Sequence, residues 1–327
     1  MPLLQNKRSS RSVLYLDWSD IRLGARLGRG TFNAVYQVDL RHGERVTPGK
    51  NPTRLIHGER FVLKCSVGSD SEQDTASQAA EDLKAEAEIL LTLPDHPNII
   101  CLHAVSPNRK LGIEKPDTLP FLVLERLEET LEARLYRLQL RADLEEPNFV
   151  SLLPPLMKHI AGDRKKCGTD QRVRLKTICL PIAEALAFLH EHRVIYRDLK
   201  PNNIGFSSIT GKIKLFDFGL SRFLPKQSRG LTPLTGTPRY MAPEVRAGVT
   251  DYAFSCDVYS YGLLLAEVCT LQRPSATARN RRSAVSRGIH AKTIRQLSRS
   301  CMNTDPSGRP SMVEVLWVLF DHLERLF

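Results

Sequence analysis

The sequence predicts an α+β fold with two lobes: a small lobe built on an antiparallel β-sheet with one main helix, and a larger, mainly helical lobe. Segments that alternate apolar and polar residues are typical of the first third of the chain, and helical periodicity is typical of the part after residue 128. With 327 residues, the chain is too long for one small core. The length suits two lobes in one functional unit, or one large domain.

The strands of the smaller lobe are predicted from three segments. Residues 21–38 alternate apolar and polar side chains around a glycine turn, which indicates two antiparallel strands joined by a loop. Residues 61–65, of sequence FVLKC, indicate a third strand, and the polar residues 39–60 before them indicate an extended surface connection. The apolar run FLVL at 121–124 predicts a buried strand that ends this lobe, with 125–127 as the linker.

Two helices are predicted with clear limits. Residues 76–93 are rich in Ala, Glu, Leu and Lys, and Pro94 follows as a stop signal. Residues 172–190 carry an apolar residue every three or four positions, as expected of a long helix that packs one stripe inward. Residues 145–171, which lead into this helix, contain three prolines and a Lys-Lys pair, and this composition indicates an insertion exposed to solvent.

The composition excludes several classes of protein. Hydrophobic residues make up 42% of the chain and charged residues 25%, within the range of globular proteins. The longest apolar stretches fall far short of the roughly 20 residues that a membrane-spanning helix needs. Pro2 excludes the glycine that N-myristoylation needs. We therefore expect a cytoplasmic or nuclear protein with no membrane span, in which residues 1–19 are a basic N-terminal extension.

The cysteines and histidines do not form metal-binding or redox motifs in the sequence. The seven cysteines are odd in number, widely spread, and include no C-x-x-C pair. None of the nine histidines has metal-ligand spacing to a cysteine. We interpret the cysteines as reduced structural thiols and the histidines as ordinary core or surface residues.

The positive charge of the chain is concentrated in one segment. The net charge is +11, which by itself does not distinguish a nucleic-acid-binding protein from a basic enzyme, and we expect no nucleic-acid partner. Residues 272–295 contain seven basic residues and no acidic residue. A solvated face is the simpler interpretation of this segment, and a docking site for an acidic partner is the alternative.

A glycine-rich segment lies at the turn between the first two predicted strands. In residues 28–35, of sequence GRGTFNAV, Gly28 and Gly30 allow backbone amides to approach a polyphosphate closely and to adopt positive φ angles. Taken alone, this signal is weak, because a G-x-G in a hairpin is as often a plain tight turn. Only motifs further along the chain give it meaning.

Three such motifs follow in order: YRDLKPNN at 196–203, FDFG at 216–219 and MAPE at 241–244. Asp198 is a candidate to accept or orient the proton of a hydroxyl nucleophile, because phosphoryl transfer needs an aligned nucleophile more than a strong base. Asn203 and Asp217 offer oxygen ligands, which suit Mg²⁺, a hard cation that also bridges ATP phosphates. A capping or loop role would explain one Asp or Asn, but not the set.

These motifs resemble the catalytic core of eukaryotic protein kinases over about residues 20–325. The resemblance implies a protein kinase domain over 20–327, with an N-lobe at 20–124, a hinge at 125–127 and a C-lobe at 128–327. It also implies ATP and Mg²⁺ as substrate and cofactor. The Lys-Pro pair after Leu199 and the GTPRY sequence resemble the serine/threonine branch, in the tyrosine-kinase-like or a similar group, and imply a protein substrate with a Ser or Thr acceptor.

The resemblance also implies roles for individual residues. Lys64 would grip the α and β phosphates of ATP, with Glu86 as its paired carboxylate and Glu88 as the competing choice. Lys200 would neutralise the transferring phosphate, and Thr237 would line the pocket of the substrate hydroxyl. Further expected pairs are Glu244 with Arg309, and Asp257 as a helix anchor. The residues expected at the nucleotide are Leu27, Gly28, Gly30, Val35, Lys64, Glu86, Glu125, Leu127, Asn203 and Asp217.

The sequence departs from the family pattern at three positions. Asn33 replaces the third glycine of the loop, and asparagine is among the residues that best tolerate positive φ. Tyr196 stands where most members have histidine, and Asn202 where glutamate is commoner. A pseudokinase that binds partners without transferring phosphate is therefore an alternative. A small-molecule kinase is disfavoured by the APE sequence and the Lys200-Pro201 pair.

The segment 217–244 has the features of a phosphorylation-dependent activation segment. Kinases with an arginine directly before the catalytic aspartate, here Arg197, are often switched by a phosphate on this segment. Between Gly219 and Pro243 it contains four basic residues and no acidic residue, so an added phosphate would find cationic partners. The candidate phosphorylation sites are Ser228, Thr232 and Thr235, and Thr237 belongs to the same segment.

Overall fold

The structure is a computed structural model of the chain, and it describes residues 13–29, 33–40, 61–66, 73–106, 120–144, 171–224, 235–249, 252–275, 289 and 291–325. The chain divides into two compact units. The first unit contains residues 1–128, 207–212 and 216–221, and the second contains residues 129–206, 213–215 and 222–327. The interiors of both predicted insertions, the glycine Gly30, and the candidates Ser228 and Thr232 lie outside the described residues.

The first unit is built on a six-stranded sheet with the order β1-β5-β6-β4-β3-β2. All neighbouring pairs are antiparallel except β1 and β5, which are parallel. The four strands predicted from the sequence are confirmed, whereas β1 and β5 are too short to show a pattern. The strands are β1 (Leu14–Tyr15), β2 (Ile21–Arg29), β3 (Asn33–Leu40), β4 (Phe61–Ser66), β5 (Leu102–Val105) and β6 (Phe121–Glu125).

One face of this sheet forms a hydrophobic core. Leu63, Phe121 and Val123 are buried in it, and Trp18 packs edge-on against Phe121 with 4.8 Å between ring centroids. Because side chains alternate along a strand, Lys64 points to the opposite face from Leu63. Strand alternation therefore places Lys64 on the face of the sheet opposite the hydrophobic core.

Helix α1 (Gln73–Thr92) belongs to the first unit and confirms the predicted helix. Its inward stripe contains Leu83, Ile89 and Leu90, and the carboxylate residue Glu86 is buried among them. These positions recur every three or four residues, so the stripe follows from helical geometry. A charged residue in an inward stripe requires a partner, because an isolated buried charge is costly.

The second unit begins with β7 (Leu127–Thr130), which crosses from the first unit, and α2 (Leu131–Leu144). A continuous helical run follows, formed by α3 (Gln171–Arg174), a π-helical stretch (Leu175–Cys179) and α4 (Leu180–Glu191).

The sequence predicts a regular helix over 172–190, and its helical extent is confirmed, but a π-helical stretch replaces regular geometry in the middle. Pro181 has no N–H to bond the carbonyl four residues earlier. The Leu180 N–H instead bonds the carbonyl of Leu175, five residues back.

The remaining elements of the second unit surround helix α6 (Ser255–Thr270), which is buried along nearly all its length. A helix that is apolar on all sides is expected to lie inside the protein. The short strands β9 and β10 pair antiparallel, as do β8 and β11. The other elements are β8 (Val194–Ile195), β9 (Ile204–Ser207), β10 (Ile213–Leu215), β11 (Arg222–Phe223), α5 (Pro243–Arg246), α7 (Lys292–Cys301) and α8 (Met312–Glu324).

Gly262→Ala tests the close packing of α6 against α7. A Cβ atom at Gly262 would lie 2.7 Å from the Cβ of Cys301 and 3.1 Å from the carbonyl oxygen of Ser298. Because such an overlap forces helices apart, we expect a loss of about 1–3 kcal/mol in the free energy of unfolding. Urea denaturation measures it, with Ala266→Ser on the same helix as a nearly neutral control. Equal midpoints for wild type and Gly262→Ala would contradict this packing.

Candidate active site

The glycine-rich turn of the first unit leaves space beside the backbone. Gly28 pairs with Val35 across β2 and β3, and a Cβ atom built on Gly28 would meet nothing within 4 Å. Packing in the described part of this turn therefore does not demand glycine. The open space beside Gly28 fits the close approach of a ligand phosphate to the backbone. Leu27, one residue earlier, is largely exposed.

Lys64 lies between two carboxylates of the first unit. Its Nζ atom is 2.6 Å from Glu86 Oε2 and 2.6 Å from Asp217 Oδ1. Val35 is its cross-strand partner on β3. Of the two glutamates that the sequence offers as partners, Glu86 makes the pair and Glu88 is exposed.

The electrostatics keep Lys64 charged. Burial opposes its ammonium form, but the carboxylates of Glu86 and Asp217 outweigh this, so the pKa of Lys64 is raised. Burial also raises the pKa of Glu86, and the Lys64 charge partly offsets that rise. The Asp217 side chain is 44% exposed, whereas Glu86 is buried. This arrangement holds a fixed cation beside a carboxylate that solutes can reach.

Asp217 has an unusual backbone conformation for a non-glycine residue. Its φ angle is +64°, in the left-handed region that L-residues rarely adopt. The following Phe218 is completely buried, and a Cβ at Gly219 would lie 3.4 Å from the Cβ of Asp82. Such strained positions cluster at functional sites, where the surrounding structure maintains them.

The carboxylate of Asp198, in the second unit, is held by four donors from three residues. Lys200 Nζ and Asn203 Nδ2 donate to Asp198 Oδ2 at 2.7 Å and 2.9 Å. The hydroxyl and the backbone N–H of Thr237 donate to Oδ1 at 2.7 Å and 2.9 Å. Lys200 Nζ also donates to the Thr237 hydroxyl at 2.8 Å. Asp198, Lys200 and Thr237, which the sequence predicts around a substrate hydroxyl, are thus brought together, and Asn203, predicted as a Mg²⁺ ligand, joins them.

A second buried carboxylate anchors the backbone of this loop. Asp257, on α6, accepts the backbone N–H groups of Tyr196 and Arg197, each at 2.8 Å, and His190 Nε2 lies 3.0 Å from it. Tyr196 is completely buried, and its hydroxyl donates to the carbonyl of Asn203 at 3.4 Å. Because Asp257 binds main-chain groups, this anchor does not depend on which side chain stands at position 196.

Thr237 reaches Asp198 because a glycine precedes it. Gly236 has φ of +114°, and a Cβ there would lie 2.6 Å from the carbonyl oxygen of Arg197. Any other residue would therefore push this segment away from the catalytic loop. The predicted pair between Glu244 and Arg309 is also present, with two parallel bonds of 2.6 Å and 2.7 Å.

Sequence reasoning missed a polar pair beneath this segment. The Tyr240 hydroxyl donates to Glu267 Oε2 at 2.6 Å, and burial raises the pKa of Glu267 to about 7. The signal in the sequence was a second acidic residue, after Asp257, inside the mainly apolar helix α6. A buried acid of this kind requires a donor, which the sequence does not identify.

Glu125 and Leu127 are two of the residues expected at the nucleotide, and the hydrogen bonds of the Glu125 carboxylate are made within the protein. The Glu125 carboxylate is buried and accepts the Cys101 N–H at 2.8 Å and the Ser207 hydroxyl at 3.4 Å. Its side chain therefore links β6 to the residue before β5 and to Ser207, which all belong to the first unit. Leu127 is half-buried at the start of β7.

Within the described ranges, no three His, Cys, Asp or Glu side chains group as a metal site, and no helix could cross a membrane.

A sheet-based unit with a paired lysine, together with a helical unit in which Lys200, Asn203 and Thr237 hold an aspartate, is typical of proteins that transfer phosphoryl groups. The family model described as "Protein kinase domain" matches residues 21–320. The chain therefore belongs to the protein kinase domain family, whose members use ATP as substrate and typically require Mg²⁺.

Curated relatives with serine/threonine-kinase names match nearly the whole chain. A protein described as a probable serine/threonine-protein kinase of Dictyostelium discoideum is 35% identical over 96% of this chain. The serine/threonine-protein kinase Nek10 of Mus musculus is 27% identical over 92%, and the probable serine/threonine-protein kinase SIS8 of Arabidopsis thaliana is 28% identical over 91%. The chain spans only 29%, 24% and 25% of these relatives' lengths.

Thr237→Val tests the hydroxyl that links Asp198 and Lys200. The change keeps the side-chain shape but removes bonds to two charged groups, each worth about 1.5–3 kcal/mol. We expect kcat on a peptide substrate to fall about 10- to 100-fold, and the melting temperature to fall by only a few degrees, because the backbone bond to Asp198 remains. Thr237→Ser retains the hydroxyl and should keep most activity. A Val variant as active as wild type would show that the hydroxyl plays no part.

Proposed function

We propose that this chain is an ATP-dependent serine/threonine protein kinase, which transfers the γ-phosphoryl group of Mg-ATP to a protein hydroxyl. The observation that supports this most directly is the set of bonds around Asp198, with Lys200 and Thr237 meeting at one carboxylate. That arrangement brings a carboxylate that can accept a proton (Asp198), an ammonium group (Lys200) and a hydroxyl (Thr237) to one point. It suits an alcohol nucleophile that attacks a phosphate.

The first unit supplies the groups that suit binding of ATP. Lys64 remains cationic and can offset charge on the α and β phosphates, while Glu86 fixes its position. The open space beside Gly28 accommodates a phosphate against the backbone. Neither group needs to move protons, because binding and orientation are the contribution required of this unit.

The residues that would hold Mg²⁺ are Asp217 and Asn203. Both offer oxygen atoms, as a hard cation requires, and the Asp217 carboxylate is partly exposed. The Asn203 amide nitrogen donates to Asp198, which leaves its Oδ1 oxygen for a cation. When bound, Mg²⁺ neutralises charge on the phosphates of ATP.

The second unit suits the transfer step itself. Asp198 would orient the acceptor hydroxyl and take up its proton as the hydroxyl oxygen bonds to the γ-phosphorus. The bond from that phosphorus to the β–γ bridging oxygen breaks, and ADP carries the electron pair away. Lys200 would stabilise the negative charge on the phosphoryl oxygens during transfer, because it already lies 2.7 Å from Asp198.

A non-catalytic kinase-like scaffold is the second candidate function. Asn33 stands at the third glycine position of the loop, and its Oδ1 atom is buried without a hydrogen-bond partner in the described structure. An unsatisfied polar atom at this position could weaken the binding of nucleotide.

Radiolabelled ATP with a mixed peptide library separates the two functions. We expect wild type to transfer label to Ser and Thr, and Lys64→Met and Asp217→Asn to lose at least about 100-fold in rate, because each removes a charge that contacts phosphate or metal. Lys84→Met, an exposed lysine on α1, is the matched control and should retain activity. Thermal stabilisation by Mg-ATP without any transfer by wild type would favour the scaffold.

We further propose that phosphorylation of Thr232 or Thr235 activates the enzyme. Thr235 and Arg197 line the same small pocket, and Arg197 donates to the Tyr252 hydroxyl at 3.2 Å. Arg197 could therefore receive a phosphate on this segment. Thr232 lies outside the described residues.

The double variant Thr232→Ala/Thr235→Ala tests this activation. We expect at least about a tenfold loss of kcat, since an unmodified segment lacks the charge that would order it. Mass spectrometry of the active wild-type protein should find phosphate at one of the two sites. Ser208→Ala, in the first unit, serves as the control substitution. Full activity of the double variant would exclude these residues as the switch.

Three broader features are proposals as well. A docking site for an acidic partner at residues 272–295 is proposed as the alternative to a solvated face; of the basic residues there, Arg273 pairs with Glu132 and Arg295 donates to the Ile289 carbonyl. Loss of binding to an acidic peptide on charge neutralisation of this segment would support the docking site.

A cytoplasmic or nuclear location fits free cysteines such as Cys256, and cell fractionation tests this location. Membership of the tyrosine-kinase-like or a similar group remains a proposal from the motifs alone.

A further inference from the structure

Helix α8 in the second unit carries two apolar stripes. Its inward stripe contains the buried residues Met312, Val315, Leu319 and Leu323. A second stripe, made of Val313, Trp317 and Phe320, has the spacing i, i+4, i+7 and is exposed to 68%, 73% and 44%. The outer face of a surface helix is normally polar. A row of large exposed apolar residues is instead typical of an interaction surface.

A groove of about 930 Å³ adjoins this stripe. It lies between the end of α4, the start of α6 and the start of α8, and its apolar walls include Phe188, Phe254, Pro310, Val313 and Leu316. Val313 belongs to both the groove and the outer stripe, so the two form one continuous surface. We call this surface, with the carboxylates described next, the α8 face.

Two carboxylates border the groove. Glu184 and Glu191, both on α4, line it, and neither makes a hydrogen bond or ion pair with any residue in the described part of the chain. Burial raises the pKa of Glu184, as expected of an acid beside an apolar surface.

Two basic residues, Arg309 and His190, also line the groove, and both have partners within the protein. Arg309 forms its two parallel bonds with Glu244, and His190 bonds Asp257. Arg193 donates to the Leu224 carbonyl, with its guanidinium carbon 5.9 Å from the centre of the Phe254 ring. The α8 face therefore combines apolar side chains with two uncompensated negative charges, on a chain whose net charge is +11.

We propose that the α8 face is a docking site for a basic amphipathic segment of a partner protein. Large apolar side chains at helical spacing would fill the groove and cover Val313 and Trp317. Lysine or arginine residues beside them would pair with Glu184 and Glu191. The chain as a whole repels cations, so only a local acidic and apolar surface would retain such a segment. This docking is independent of the proposed phosphoryl transfer, because it requires neither ATP nor Asp198.

Trp317 provides a direct readout of docking. The chain has two tryptophans, and Trp18 packs against Phe121 in the first unit. In a Trp18→Phe background, emission from Trp317 alone reports on the α8 face. The probe is a synthetic Leu/Lys helical peptide of about 18 residues, or five turns. Its control is the same peptide with every Lys replaced by Glu.

We expect the Leu/Lys peptide to shift Trp317 emission to shorter wavelength in a saturable way, and the Leu/Glu peptide to leave it unchanged. Glu184→Gln with Glu191→Gln should raise the Kd about three- to tenfold, the effect of two partly exposed ion pairs. Val313→Asp should abolish the shift. Leu140→Asp, at an exposed apolar position on α2, should bind as wild type does.

Three results would overturn the proposal. Equal binding of the Leu/Glu peptide would exclude charge recognition. Charge recognition would also be excluded if Glu191→Lys bound the Leu/Lys peptide as tightly as wild type does. Because this variant changes only an exposed residue, it tests the proposal even if Val313→Asp does not fold. A concentration-dependent shift of Trp317 emission without peptide, together with dimers in sedimentation, would assign the surface to a second copy of the chain.

Discussion

The buried carboxylate of Asp257 is the interaction on which the second unit depends. It lies inside α6 and is satisfied by two backbone N–H groups and by His190. A carboxylate without these partners would be strongly destabilising in this interior, because burial removes its hydration. The same bonds hold the backbone just before Asp198. The hydrogen bonds that satisfy this buried charge are therefore also the ones that position the segment carrying Asp198.

The first unit solves a similar problem with side chains alone. Lys64 is a buried cation, and its two carboxylate partners compensate the loss of solvent. Glu86 comes from a helix and Asp217 from a segment 153 residues further along the chain. The buried ring of Phe218 helps to keep that segment in place despite the strained φ of Asp217. In the proposed function, the first unit therefore binds the phosphates of ATP and the second unit activates the acceptor hydroxyl.

Much of the fold follows from sequence patterns where periodicity is strong. The strands around Lys64, helix α1 and the helical run before the catalytic loop are confirmed, because each repeats apolar residues with the period of its structure. Short strands such as β1 have too few residues to show a period. The π-helical stretch was missed because Pro181 acts on hydrogen bonding rather than on apolar spacing. Tyr240 and Glu267 were missed because each finds its partner 27 residues away.

By itself, the sequence determined the chemical groups of the candidate site and their order, because the motifs that contain Asp198, Asn203 and Asp217 are local and contiguous. Only the tertiary structure decided which of two glutamates pairs with Lys64. On a helix, successive residues are rotated by about 100°, so Glu86 and Glu88 point in very different directions, and packing of α1 on the sheet selects the inward one. Packing likewise left Val313 and Trp317 exposed, and it placed Val313 in the groove that Glu184 and Glu191 line. Apolar spacing along the chain does not distinguish such an exposed stripe from a buried one.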